Sequence, residues 1–401
     1  MSLNDTASAD RIHIGFFGLR NAGKSSLVNA VTGQALSVVS DVKGTTTDPV
    51  RKAMELLPLG PVVIIDTPGL DDEGELGEMR VKKAREILAK TDIAVLVTDA
   101  REPLSPLEKE LVELFKEKKT PYIIAQNKSD LGRAREAEEA GAILVSAKTG
   151  ENINALKERL GGLAKLKKND KKIVSDMLSP GDHVLLVIPI DEAAPKGRLI
   201  LPQQQTIRDV LDAHCSVTCC QDTEVAKTLA LFDGKTRMVI TDSQAFGRVS
   251  KEVPADIPLT SFSILFARYK GSLPELVRGA AALSKIEDGD RVLISEGCTH
   301  HRQCNDIGTV KMPGWIESFS GAKPSFTFTS GGEYPDDLSD FKVIVHCGGC
   351  MLNETEMQNR IERAVKAGVP IVNYGVAIAH MHGILRRSLE LFPDVLKILG
   401  K

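Results

Sequence analysis

Phe341–Cys350 reads FKVIVHCGGC. Its apolar run, Val343–Val345, has the length and β-branched character of a buried strand. The run ends in His346, Cys347, two glycines and Cys350, so two thiols stand at a strand end. The glycines let the chain curl around one soft metal centre. A second stretch, Arg291–His300, RVLISEGCTH, repeats the pattern: Val292–Ile294 runs into Gly297, Cys298, Thr299 and His300. If both runs are parallel strands of one sheet, their carboxyl ends lie side by side, at the edge where open α/β sheets bind ligands. Cys298, Cys347, Cys350, His300 and His346 are then expected to converge.

The rest of the chain is soluble in character. It has 401 residues, 42% of them hydrophobic, enough for two to four packed domains. The 51 basic and 54 acidic residues leave no basic excess, so no large nucleic-acid footprint is expected. No apolar run reaches the length of a membrane span. The N-terminal MSLNDTASADRIHIGFFG has no basic segment followed by an apolar one, so no signal peptide is expected. Seven cysteines, an odd number without a secretion signal, favour a reducing cytoplasm and free or metal-bound thiols.

Ile12–Phe17 reads as a strand, Ser26–Val31 as a helix, and between them stand Gly18, Leu19, Arg20, Asn21, Ala22, Gly23, Lys24 and Ser25. This is G-x-x-x-x-G-K-S in a strand–loop–helix context, a phosphate cradle built from backbone N–H groups and a helix N-terminus. Lys24 is placed to reach the β/γ-phosphates, and Ser25 to offer a hydroxyl to Mg2+. After the strand Val62–Ile65 comes Asp66-Thr67-Pro68-Gly69, an aspartate for the metal and an N–H for the γ-phosphate. After Tyr122–Ala125 comes Asn127-Lys128-Ser129-Asp130, whose last carboxylate can take both donors of the guanine N1/N2 edge. Ser146-Ala147-Lys148 follows Ile143–Val145 and is placed to close over the base.

These four elements, in this order over Arg11 to about Leu160, resemble the translation-factor-like class of small GTPases, which implies GTP. Gly44-Thr45-Thr46-Thr47-Asp48 resembles the first switch of the tRNA-modifying and ribosome-associated GTPases, with Thr46 in register as a magnesium ligand. Asn21 resembles the asparagine that helps bind K+ beside the phosphates in that group; its other reading is a turn residue. Leu70 follows Gly69 where Ras-like proteins carry a water-orienting glutamine. A leucine cannot orient water, so a potassium ion is the economical source of charge stabilisation.

Lys165–Lys172, KLKKNDKK, reads as a solvated linker. Beyond it, strands at Val184–Ile190 and Met238–Thr241 and helices at Thr206–Ala213 and Glu224–Leu231 make a small α/β unit. Cys215, Cys219 and Cys220 read as buried small hydrophobes, the other reading being metal ligands with His214 as a fourth. With no chemistry visible, this unit reads as a self-association module. From about Thr260, strands at Arg291–Ser295, Ser325–Thr329, Lys342–Val345 and Ile371–Tyr374 alternate with helices at Leu273–Leu283, Asn353–Ala367 and Ile378–Leu391. That pattern predicts a parallel sheet covered on both faces.

The C-x-H and H-C-x-x-C signatures behind a GTPase of this subtype resemble the FeFe-hydrogenase maturation GTPases, the HydF family, over the whole chain. The fold class implied is α/β in three domains: a Ras-like P-loop GTPase at 1–164, a linker at 165–180, a small α/β dimerisation domain at 181–259 and a parallel-sheet iron–sulfur cluster domain at 260–401. By that resemblance Cys298, Cys347 and Cys350 bind a 4Fe-4S cluster. Three thiolates suit three irons. The fourth position stays open among His300, His346, Glu296, Cys304 and water. The implied function is a homodimeric cytoplasmic scaffold. It takes a diiron precursor from two radical-SAM maturases and delivers it to apo FeFe-hydrogenase, with GTP tuning partner exchange. The alternative is a GTPase of tRNA modification or ribosome assembly with a closed structural zinc site.

Overall fold

The computed structural model describes residues 8–34, 50–67, 75–132, 141–167, 171–190, 199–297 and 306–400. The chain divides into two units, Met1–Asp170 and Lys171–Lys401. The switch stretch at Gly44–Asp48, Pro68–Leu70, the segment from Cys298 through Thr299 and His300 to Cys304, and the middle of the lysine-rich run lie outside the described residues.

In the first unit, β-branched and aromatic runs build β1 (Ile12–Phe17), β2 (Val50–Leu56), β3 (Gly60–Asp66), β4 (Ile93–Asp99), β5 (Tyr122–Asn127) and β6 (Ile143–Leu144). They form one sheet in the order β2-β3-β1-β4-β5-β6, parallel except for β2. Helices α1 (Lys24–Thr32), α2 (Glu75–Leu88), α3 (Pro106–Glu117) and α4 (Ile153–Lys167) complete the unit. One face packs Ile14, Phe16 and Val95 against Leu27, Val31, Leu156 and Leu160; the other packs Phe17, Ile65 and Leu96 against Ile87, Leu111 and Phe115. Helix α3 starts where it does because Ser105 and Glu108 form a reciprocal capping box ahead of Pro106.

The second unit holds two four-stranded sheets. The first is built from β7 (His183–Val187), α5 (Leu201–Asp212), β8 (Ser216–Cys220), α6 (Val225–Leu231), β9 (Thr236–Thr241), α7 (Phe246–Glu252) and β10 (Leu259–Ser261). Helices α8 (Phe262–Tyr269) and α9 (Leu273–Leu283) lead to the second sheet. That sheet comprises β11 (Arg291–Ser295), α10 (Met312–Ser320), β12 (Ser325–Thr329), β13 (Val343–His346), α11 (Glu354–Lys366) and β14 (Ile371–Asn373). It is followed by α12 (Tyr374–Met381), α13 (Leu385–Ser388) and α14 (Pro393–Leu396). Both sheets are wholly parallel, with orders β10-β9-β7-β8 and β12-β11-β13-β14. In the second sheet the strand order reverses between β11 and β13, which makes that pair its topological switch point.

Four expectations differ from what is observed. The start of the lysine-rich linker continues α4 to Lys167, and its end is anchored: Ile173 and Val174 are buried, and Asp209 accepts from the backbone N–H of Val174 and Ser175, each at 2.8 Å. The run Ser216–Cys220 is a strand at the sheet edge with no fully buried residue; Cys219 is exposed and Cys220 half-buried, so of the three cysteines only Cys215 is fully buried. A single long helix over Ile378–Leu391 does not form. Asn373 caps α12 directly after β14, its side chain accepting from Val376 N at 2.9 Å, and Gly383 at φ 71° interrupts the chain before α13. The boundary at 259/260 also falls inside β10.

One hydrophobic core joins both sheets of the second unit. Val184, Leu186, Met238 and Ile240 belong to the same buried cluster as Leu276, Val292, Ile294, Val343, Val345 and Val376.

Candidate functional sites

The phosphate side of the first unit forms where β1 ends. Gly23 caps α1 at φ 84°, and a Cβ there would collide with Asn127 Nδ2, so both the turn and the close approach require glycine. Lys24 and Ser25 open α1, followed by Ser26 in its first turn; the backbone N–H groups of this end have no helical partners of their own. Lys24 is buried, and its Nζ lies 3.6 Å from Asp66 Oδ1. Burial lowers its pKa, and Asp66 pulls it back up. Ser25 Oγ donates to Asp66 Oδ2 at 3.1 Å. A hydroxyl and a carboxylate thus meet beside an ammonium, a donor set that fits Mg2+ next to phosphate oxygens. Asn21 is exposed at φ 65°, a left-handed conformation that asparagine tolerates. Thr46 and Gly69 lie outside the described residues.

On the base side, Asn127 is buried and acts as a brace. Its Nδ2 donates to Ala22 O at 3.1 Å, and its Oδ1 accepts from Ala147 N at 3.0 Å. Ser146 Oγ donates to Asp130 Oδ1 at 2.7 Å, holding an exposed carboxylate in place. Lys128, at φ 65°, reaches Asp99 Oδ2 at 2.8 Å. Arg101 grips the same carboxylate from the other side, Nε to Oδ1 at 2.9 Å and Nη2 to Oδ2 at 2.7 Å. The Arg101 guanidinium, then Lys128, hold the Asp99 carboxyl well below the usual carboxylate range. Lys148 is exposed at the edge of this site. The structure brings Gly18, Ala22, Gly23, Lys24, Ser25, Asp66, Asn127, Lys128, Asp130, Ser146 and Ala147 to one sheet edge. The Asp99–Arg101 pair went unread in the sequence; an acid closing a strand two residues before an arginine was its only signal.

The second site forms at the carboxyl ends of β11 and β13. Ser295 pairs with His346, and the ladder continues as Cys347 N donates to Ser295 O at 2.9 Å. Cys347 Sγ accepts from Gly297 N at 3.0 Å and from Gly349 N at 3.4 Å. Two N–H donors on one sulfur favour a thiolate, the form that binds iron. Cys350 sits beside it, half-buried. Burial raises its thiol pKa, as does the neighbouring Cys347, while the buried Lys270 pulls it down. Glu296 Oε1 accepts from Tyr374 Oη at 3.3 Å, and burial, then Glu296, keeps that phenol far above its ordinary range. A Cβ on Gly308 would run into both groups. Two soft donors, one with backbone N–H support, at a parallel switch point can supply part of an iron–sulfur ligand set. Among the described residues no group of three metal-ligating side chains occurs; Cys298 and His300 lie outside them.

His346 is fully buried, and both its ring nitrogens are engaged. Nδ1 is 2.7 Å from Cys347 O, and Nε2 is 3.0 Å from Arg360 Nη1. Arg360, Glu356 and Ser295 were not read from the sequence. The spacing Glu356–Arg360 on a helix that also carries Met357, Ile361 and Ala364 was the available signal.

Comparison with known proteins assigns the parts. Residues 13–128 match a family model described as 50S ribosome-binding GTPase. The GTPase Der of Wolinella succinogenes is 36% identical over 166 residues, covering 37% of this chain and 35% of its own length. The tRNA modification GTPase MnmE of Xanthomonas euvesicatoria pv. vesicatoria is 36% identical over 156 residues, covering 39% of this chain and 34% of its own. The chain thus spans about a third of the length of these curated relatives. Among solved structures, a single-residue variant of Aquifex aeolicus Era, bound to GDP and aluminium fluoride, aligns with TM-score 0.34 and 19% identity over 56% of this chain and 98% of that one. The first unit is a P-loop GTPase domain, and its ligands are GTP and Mg2+. No helix among the described residues is long and apolar enough to cross a membrane. Residues 173–271 match the hydrogen maturase F dimerization domain and residues 274–391 its tetramerization domain. With a GTPase domain ahead of both, the chain belongs to the hydrogen maturase F, or HydF, family.

Proposed function

We propose that the protein is a GTP-hydrolysing scaffold. It holds a 4Fe-4S cluster on Cys298, Cys347 and Cys350 and carries a diiron precursor as cargo to apo FeFe-hydrogenase. The observation that carries this reading is the register of β11 and β13. Ser295 opposite His346 sets the carboxyl ends of β11 and β13 side by side at one edge, with Cys347 and Cys350 directly after β13; on this reading Cys298, next in sequence after Gly297, joins them. A third thiol at Cys298 would complete a set for three irons, and a cluster so held leaves one corner for an exchangeable ligand. Glu296, which accepts from Tyr374, and His346 are the described candidates for such a ligand; His300, Cys304 and water are the others. The chain's own groups supply backbone donors to sulfur and a buried cation, Lys270, against the negative charge of thiolates.

On this reading GTP binding and hydrolysis tune exchange with two radical-SAM maturases and the hydrogenase, in the cytoplasm, and K+ beside Asn21 assists hydrolysis. The chain works as a homodimer or a pair of dimers, consistent with its dimerisation and tetramerisation domains. The test is elemental. Protein purified without oxygen should be brown and carry about four irons and four sulfides per chain, by the cube's own stoichiometry. A colourless protein with one zinc per chain would replace this reading with a closed structural site.

A further inference from the structure

Arg360 is 2% exposed, among the largest fully buried side chains of the molecule. Its guanidinium is held on several sides. Nη1 donates to His346 Nε2 at 3.0 Å and reaches Ser295 Oγ at 3.4 Å; Nη2 donates to Gly331 O at 2.6 Å and to the buried Glu356 Oε1 at 3.0 Å. The Tyr334 ring lies 5.2 Å from its centre. A guanidinium has donors and no acceptor. His346 Nε2 must therefore accept, its proton sits on Nδ1, and Nδ1 donates to Cys347 O. An imidazole with both nitrogens so used has no lone pair left for a metal.

We infer that Arg360 is the positioning residue of the cysteine site and that His346 is its spacer, not a cluster ligand. One side chain from α11 ties together the ends of β11 and β13, through Ser295 and His346. The imidazole passes that constraint to the carbonyl of Cys347. The Glu356 carboxylate offsets the buried charge, so the device is held by a paired cation rather than a bare one. The functional benefit is a fixed spacing between the ends of β11 and β13, from the second of which Cys347 and Cys350 follow.

The inference rests on the cluster reading, and its tests separate the two. The full-length protein is reconstituted with iron and sulfide, and histidine is labelled with 15N in the imidazole. Pulsed EPR of the reduced cluster should show the same nitrogen coupling in wild type and His346→Gln, because glutamine Oε1 can still accept from Arg360. Coupling that disappears in His346→Gln makes His346 a ligand and overturns the inference. Arg360→Met alone takes from the buried Glu356 its arginine partner and is prone to unfold, so the double variant Arg360→Met/Glu356→Leu removes the ion pair whole. It should fold, as its melting transition reports, and lose its cluster to a chelator at least about tenfold faster than wild type. Wild-type chelation kinetics in the folded double variant would make Arg360 a support of the fold alone.

If wild type takes up no cluster, the proposed function fails, while 15N NMR of the iron-free protein still decides the inference. His346 Nε2 should then resonate as an unprotonated acceptor. A protonated Nε2 there would sink it.

Discussion

At Asn127 a single amide side chain fastens the phosphate loop, through Ala22 O, to the base-closing loop, through Ala147 N. Replacing it with alanine should cost about 1–3 kcal/mol, the penalty of stranding buried groups, and weaken GTP binding, read by thermal melting and nucleotide titration. Asp130→Asn should relax the preference for guanine, seen as competition by xanthosine triphosphate that wild type resists. The spacing of these motif residues was legible because a phosphate loop and a guanine clamp need fixed residue types at fixed strand ends. The Asp99–Arg101–Lys128 group was not, since its members are ordinary surface charges until the fold joins them. Asp99 carries a pH consequence. Arg101 and Lys128 depress its carboxyl, so its stabilising effect is complete above the ordinary carboxylate value of 3.8 and is lost as pH falls below it. Asp99→Asn should therefore melt below wild type by about 1 kcal/mol at neutral pH, with the gap closing only in acid. For Asn21, hydrolysis faster in potassium than in sodium, with the difference abolished by Asn21→Ala, is the expected outcome; equal rates in both salts leave it a turn residue.

Elements were legible where apolar runs stand alone between glycines. Arg291–Ser295, Ser325–Thr329 and Leu273–Leu283 fall where their patterns put them. The strand Ser216–Cys220 did not, because an edge strand with no fully buried residue can be built from serine, threonine and cysteine and carries no apolar run. The helix after β14 was displaced because Asn373 is a cap at a strand end, a role no periodicity reveals. The carboxyl ends of β11 and β13 were legible as neighbours, with Cys347 and Cys350 directly after the second; Cys298 lies outside the described residues. Its support, Arg360 on α11, was not, since a buried arginine looks like a surface one in sequence. Changing Cys347 or Cys350 to Ala removes one thiolate from a strand-end turn while leaving the apolar strands intact. Iron and sulfide per chain should collapse in each variant, with far-ultraviolet dichroism unchanged.

For the whole molecule, the division of labour should be separable. The GTP site is built within Met1–Asp170 and the described part of the cysteine site within Lys171–Lys401. Lys24→Ala should lose GTP turnover and keep its cluster, whereas Cys347→Ala should lose the cluster and keep turnover; a cysteine variant that is folded but has lost turnover contradicts the scheme. The three-part order was readable from motifs, but not how closely the second and third parts fuse, because shared packing leaves no local mark.

That shared core has a calorimetric consequence. Leu186 and Val343 sit on different sheets yet line one continuous interior. A segment whose two halves bury the same side chains cannot lose one half without exposing the other, so Lys171–Lys401 should melt as a single cooperative block. A heating scan would then show two endotherms, not three. A cavity cut by Leu186→Ala, worth about 2–5 kcal/mol, should lower the same endotherm as one cut at Val343, although only the second lies on the strand that leads to the thiols.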